Sequence, residues 1–376
     1  MFGHLKTLCQ SAAVVAALMA AGTAHARELR LVVGVPPGGP ANVGADAFAA
    51  DLAARTNNEL TVKIFPPSLL DMVQTFGGVR DGIVDAGYMV LNFHAADLRE
   101  TQLPIELAML GVNSYAMAGA MSEYILTCEP CVAERLASNI VPLGNASTGA
   151  YAILGSSPMT TPEEMKGKKL RAAGGAWSRW AAAMGAVGVS IPGNEIFEAM
   201  SQRTIDGAMN APTELTSIRL KDVATHVTLD VPGGTVHGLD LTSINRDTWR
   251  SLTTEQRRAW MDAAALGNAT TTWKFVTDVA RNVEEARASG KVVSTASPEL
   301  KAAAQAAVEA DLANIAKIAA DTHGIQDAEA KIARFRELVA RWEALLPADR
   351  EWTAEQIAEV FRAEIYSKLD AATFGM

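Results

Sequence analysis

The stretch from Lys166 to Asn210, KGKKLRAAGGAWSRWAAAMGAVGVSIPGNEIFEAMSQRTIDGAMN, carries the residues best suited to holding a small anion. Arg171 lies in a short run, Lys169–Ala172, that reads as a strand leaving a glycine turn. Asn210 closes Thr204–Asn210. Between them the sequence predicts a helix at Ala176–Met184, a strand at Val187–Ile191 and a helix at Asn194–Ser201. Strand–helix–strand–helix–strand is the grammar of a parallel sheet, and such sheets bind ligands beyond the carboxyl ends of their strands. Arg171 and Asn210 would both stand near such ends. A guanidinium stays charged and offers a planar fork that matches a carboxylate with two parallel hydrogen bonds. Arg171 is therefore a candidate carboxylate clamp and Asn210 a candidate orienting group. The competing reading is a surface arginine paired with Glu163 or Glu164.

Other polar and aromatic residues fall near the same strand ends. A strand is expected at Asp85–Val90, and Tyr88 to Asn92 would face a cleft from its end. Asn42 follows the stiff loop Pro36–Pro40, as a helix cap or as a ligand contact. Trp177 and Trp180 are three apart and share a helix face, facing the core or walling a pocket. Arg179, on another face, is expected in solvent. Groups for covalent or acid–base chemistry are scattered. His94, His226, His237 and His323 form no HExxH, and Gly144–Gly149 (GNASTG) is not a GxSxG elbow. Cys128 and Cys131 flank Glu129–Pro130. In an oxidising compartment they would form a local disulfide; a thioredoxin-like motif would need the first cysteine at a helix N-terminus within a βαβ start. No second Cys or His pair follows at zinc spacing.

The elements that position these residues can be read along the chain. Lys6, the apolar run Ala12–Ala21 and Ala24–His25–Ala26 make a secretory leader, cleaved after Ala26. Strands are expected at Glu28–Val35, Thr61–Phe65, Asp85–Val90, Ile140–Leu143, Gly149–Leu154, Val227–Val231, Thr235–Ser243 and Lys291–Ser294. Helices are expected at Ala41–Thr56, Ser68–Val79, Ser114–Leu126, Cys131–Ser138, Pro212–Leu220 and from Thr253 to about Ala288. Capping boxes mark two starts, Thr161–Glu164 and Thr253–Gln256. Pro232–Gly233–Gly234 is a hinge candidate. From Pro298 onward the chain reads as helix, with an apolar stripe at Ile332, Phe335, Leu338, Val339 and Trp342. A hydrophobic content of 49% supports a core, and 376 residues suffice for two domains. A formal net charge of −9 argues against nucleic acid and anionic membrane surfaces as partners.

The succession GKKLRAAGG and IDGAMN resembles the core pattern of the solute-binding proteins of tripartite ATP-independent periplasmic (TRAP) transporters, the DctP family. Val79–Asp85 (VRDGIVD) and Leu220–Leu229 (LKDVATHVTL) extend the likeness over nearly all of the chain after the leader. The resemblance implies an α/β fold of the two-lobe periplasmic binding protein type, with mixed sheets, a long connecting helix and a helical C-terminal region. On that plan residues 1–26 are the leader, 27–148 with 236–276 lobe I, 149–235 with 277–297 lobe II, and 298–376 a helical extension packing across the lobes. It implies that Arg171 clamps a substrate carboxylate, that Asn210 lines the same cleft, and that the protein is periplasmic and delivers a small organic acid to membrane permease subunits; the C-terminal apolar stripe, which would pack on its own domain, favours a monomer over a dimer. No cofactor is expected. The charged residue that sialic acid binders of the family carry near Ala150–Ile153 is absent, so a second carboxylate would need Lys63 or Arg80. Tyr88, Tyr151 and Trp177 suit a hydroxy, keto or aromatic monocarboxylate, and dicarboxylates stay open. Some keto-acid binders of the family use a ligand-bridging metal ion; Glu214 is the carboxylate placed for one. The alternatives are a binding protein for an ATP-driven importer, or a periplasmic enzyme acting on a carboxylate.

Overall fold

A computed structural model describes residues 26–376. The leader therefore falls, but for Ala26, outside the described residues. Thirteen strands are formed among them: β1 (Arg27–Val32), β2 (Leu60–Phe65), β3 (Ala86–Gly87), β4 (Met89–Val90), β5 (Ile140–Val141), β6 (Ala152–Gly155), β7 (Lys169–Ala172), β8 (Val187–Ser190), β9 (Gly207–Asn210), β10 (His226–Leu229), β11 (Leu239–Asp240), β12 (Ile244–Asn245) and β13 (Val292–Thr295). They make two mixed sheets. One has the order β2-β1-β3-β12-β5, the other β13-β10-β6-β9-β7-β8, and β4 pairs with β11 alone. In the first sheet β1 runs parallel to β2 and β3, while β12 is antiparallel to β3 and β5. In the second, β7 lies parallel to β8 and β9, so the strand–helix–strand reading of Lys166–Asn210 holds there.

A helix of 35 residues, Thr254–Ala288, links the two halves. At about 1.5 Å per residue it is roughly 52 Å long. Its capping box forms as expected: Gln256 N donates to Thr253 Oγ1 at 3.2 Å and Thr253 N to Gln256 Oε1 at 3.1 Å. It packs against the helix Pro40–Arg55. A Cβ at Gly44 would meet Gly267 O at 2.7 Å, and one at Gly267 would meet Phe48 Cβ at 2.8 Å, so small residues let these backbones approach. The C-terminal stripe buries Ile332, Phe335, Val339 and Trp342 within the chain's own core, against the helix Ser114–Thr127. Trp342 donates to Glu123 Oε2 at 2.7 Å, so its polar edge is satisfied as its ring is buried.

Several local expectations are corrected. The helix expected from Ser68 begins at Gln74, because the Asp71 side chain accepts from Val73 N and Gln74 N and holds the preceding loop in a turn. Asp85–Val90 is split at Tyr88, with β3 in the first sheet and β4 paired to β11. Thr235–Ser243 keeps only β11, since its backbone bonds to loop partners: Thr235 N to Ala108 O and Val236 N to Thr148 Oγ1. Pro212–Leu220 holds only the short helix Glu214–Ser217, ended by Arg219 in the left-handed region (φ 61°). A helix at Arg99–Glu106 was not anticipated; it contains Pro104 and is almost wholly buried. Cys128 and Cys131 form a disulfide with a Cα–Cα distance of 5.2 Å. Cys128 caps the helix Glu129–Ala137, so the first cysteine does stand at a helix N-terminus, but both are buried. No helix among the described residues is long and apolar enough to cross a membrane.

Candidate functional site

The capping box Thr161–Glu164 starts the turn that launches β7: Glu164 N donates to Thr161 Oγ1 at 3.3 Å, and Glu164 Oε2 accepts from Thr161 N at 3.2 Å. This engages Glu164, and Glu163 reaches Lys166, so neither acid pairs with Arg171. Arg171 instead runs beneath the ends of the parallel strands. Its Nε donates to Ile191 O at 2.9 Å and its Nη1 to Met209 O at 3.3 Å. Both acceptors are neutral carbonyls. The side chain is 4% exposed and makes no ion pair with a described residue. A buried cation without a counter-ion is costly, so this geometry favours an anion arriving from outside the chain.

Asn210 lies at the carboxyl end of β9, with Oδ1 accepting from its neighbour Ala211 N at 3.0 Å. Tyr151 is buried close to Arg171. Burial raises its hydroxyl pKa, and the guanidinium opposes that shift. Its ring lies 5.4 Å from that of Trp177, whose Nε1 donates to Gly233 O at 2.9 Å. Trp177 is thus a buried brace between Tyr151 and the glycine turn. At Gly234 (φ 63°) an added Cβ would meet Ala108 O at 2.3 Å, which explains why glycine stands at that turn.

A small cavity of ≈ 50 Å³ has none of Arg171, Asn210, Tyr151 and Trp177 on its wall. Val35, Pro36, Ala41, Met72 and Tyr88 line it from the first sheet's side, Glu214, Ser217 and Ile218 from the other, and Phe275 from the long helix. Glu214 is the one carboxylate on its wall. Ser217 donates to Glu214 Oε2. Burial raises the Glu214 pKa, while the Ser217 bond and the Arg171 charge pull it back. Burial likewise pushes up the Tyr88 hydroxyl, with Glu214 and Tyr151 adding to the shift. The Arg171 charge acts on both Glu214 and Tyr151.

Asn92 bridges the halves: its Nδ2 donates to Ala173 O, just past β7, at 3.2 Å, while Oδ1 is buried without a partner. Asn42 is a cap, accepting from Gly39 N at 3.2 Å, and is not on the cavity wall. Arg80 pairs with Asp81 at the surface and Lys63 lies over Phe65, so neither reaches the cavity. Arg179, expected in solvent, is instead held between two elements. Its Nη2 donates to Glu106 Oε2 at 2.7 Å and to Asp311 Oδ2 at 3.0 Å. Hard divalent cations take six or more oxygen ligands. Among the described residues no group of three or more His, Cys, Asp or Glu gathers for a metal, and Glu214 is the cavity's single acid. The wall residues Met72, Ser217, Ile218 and Phe275 were not anticipated, since nothing in their local sequence marks them.

Two mixed sheets joined by a long helix, with a buried arginine on the second sheet that pairs with no described acid, make the two-lobe fold of TRAP solute-binding proteins. The chain belongs to the DctP family of bacterial extracellular solute-binding proteins, family 7, whose pattern it matches over residues 32–318. A solute-binding protein of Albidiferax ferrireducens is 25% identical over 58% of this chain, which spans 64% of that relative's length. Among solved structures, a TRAP solute-binding protein of Rhodoferax ferrireducens with benzoate superposes with a TM-score of 0.74 at 17% identity, covering 85% of this chain and 99% of that one. A TRAP periplasmic solute-binding protein of Bordetella bronchiseptica with mandelate gives 0.71 at 21% identity, covering 84% and 99%. The family comprises receptors, not enzymes.

Proposed function

We propose that this protein captures a small organic acid between its lobes in the periplasm, after removal of the leader, and delivers it to membrane permease subunits for uptake driven by an ion gradient. The observation that carries this reading is Arg171: buried, bonded to neutral carbonyls, and unpaired with any described acid. Binding of this kind needs no nucleophile, base or cofactor. Arg171 holds the carboxylate, Asn210 orients it, and Tyr88, Tyr151 and Trp177 shape or brace the aromatic side of the cleft. Asn92 links the lobes when they are closed. The cavity is small as it stands, so loading requires the lobes to part and close again, a motion known for this architecture. Benzoate and mandelate in the structural relatives are consistent with an acid of that size.

The test is calorimetry and thermal shift of the full mature chain with benzoate, mandelate, pyroglutamate, succinate and galacturonate, with benzamide as the neutral control. At least one acid is expected to bind and raise the melting temperature, and benzamide to do neither. Binding of benzamide as tight as benzoate, or no response to any acid, would count against the reading.

A further inference from the structure

Glu214 raises a question that a carboxylate clamp alone does not answer. A cleft built to hold an anion has an acid on its own wall. An ionised carboxylate only accepts hydrogen bonds. Ser217 Oγ satisfies Oε2, and Oε1 has no hydrogen-bond partner among the described residues. The rest of the wall is Val35, Pro36, Met72, Ile218 and Phe275, with the Tyr88 ring, and supplies no cation. Arg171, whose charge acts on Glu214, is bonded to Ile191 O and Met209 O rather than to Glu214.

We infer that Glu214 is a specificity-determining residue, and that the ligand is a monocarboxylic acid with an apolar body and a hydrogen-bond donor, a hydroxyl or ammonium, beside its carboxylate. The inference rests on the carboxylate-capture reading above. The ligand's carboxylate turns to Arg171, its donor to the open oxygen of Glu214, and its body to the apolar wall. Glu214 is half-buried on a largely apolar wall, and an acceptor so placed discriminates against ligands that leave it unpaired. The same charge repels a second carboxylate, which acts against dicarboxylates.

Four acids with one phenyl body test this by calorimetry: phenylacetate, mandelate with a hydroxyl, phenylglycine with an ammonium, and phenylmalonate with a second carboxylate. The full mature chain is expected to bind mandelate or phenylglycine at least tenfold more tightly than phenylacetate, and phenylmalonate at least tenfold more weakly. Which of the first two prevails distinguishes hydroxyl from ammonium. In Glu214→Leu both preferences should shrink to within threefold, with phenylacetate bound at least as well as before. Glu214→Gln, closer in shape, should lose the phenylmalonate penalty while keeping part of the donor preference; urea midpoints show that each variant is folded. Phenylacetate binding as well as both donor-bearing acids, preferences that survive Glu214→Leu, or phenylmalonate binding best would overturn the inference. If acids bind in an Arg171-dependent way without these preferences, the capture reading stands and the role of Glu214 falls. If no acid binds, both fall.

Discussion

Replacing Arg171 with alanine separates the proposed clamp from the scaffold. A charge-assisted hydrogen bond contributes about 1.5–3 kcal/mol, so a two-bond fork is worth about 3 kcal/mol at the low end. That corresponds to a roughly 150-fold loss of affinity. An acid at a hundred times the wild-type dissociation constant stabilises the wild type by about 2.7 kcal/mol, and the variant by only about 0.3 kcal/mol. The ligand-induced thermal shift should therefore nearly vanish. The unliganded variant should also lose about 1–3 kcal/mol, because Ile191 O and Met209 O give up their donor. Arg171→Lys keeps the charge without the fork and should fall between the two. Urea unfolding measures the scaffold term without ligand, and calorimetry measures the clamp. An Arg171→Ala protein that is folded and binds the acid as tightly as wild type would refute the assignment.

Arg179→Ala should cost about 1–3 kcal/mol in urea unfolding, since it removes the partly exposed cation between Glu106 and Asp311; no change would mean that the pair is only a surface contact. Trp342→Ala should cost about 3–5 kcal/mol, because its ring is fully buried and Glu123 would lose a donor; a smaller loss would show that the C-terminal helices are dispensable to the core. His94 is held down to about 4 by burial, and the nearby Arg135 charge acts in the same direction. Its folded pKa lies below its unfolded value, so the folded state binds fewer protons between pH 6.5 and about 4, and stability falls as pH falls through that window. The loss is at most about 3 kcal/mol. His94→Gln should flatten that part of the pH–stability curve, and an unchanged slope would place the effect elsewhere.

Much of the scaffold was legible because its signals are local. Thr161–Glu164 and Thr253–Gln256 form the capping boxes their spacing announces. The stripe from Ile332 to Trp342 buries the face its period marks. Shorter segments were less legible. Asp85–Val90 looks like one continuous strand but is divided between two different sets of strand partners, and Thr235–Ser243 gives up backbone groups to Ala108 and Thr148, far off in the chain. Arg179 shows the same limit among side chains: its partners, Glu106 and Asp311, are distant in sequence.

By itself, the sequence determined that a forked cation would stand at the end of a parallel strand, because strand, turn and helix starts are set by neighbouring residues. It could not determine that Arg171 would lack an acidic partner, or that Glu214 would face an apolar cavity together with Phe275 and Met72. Those outcomes depend on which distant surfaces meet when the lobes close. Burial and pairing are properties of that meeting, and no stretch of chain encodes them alone.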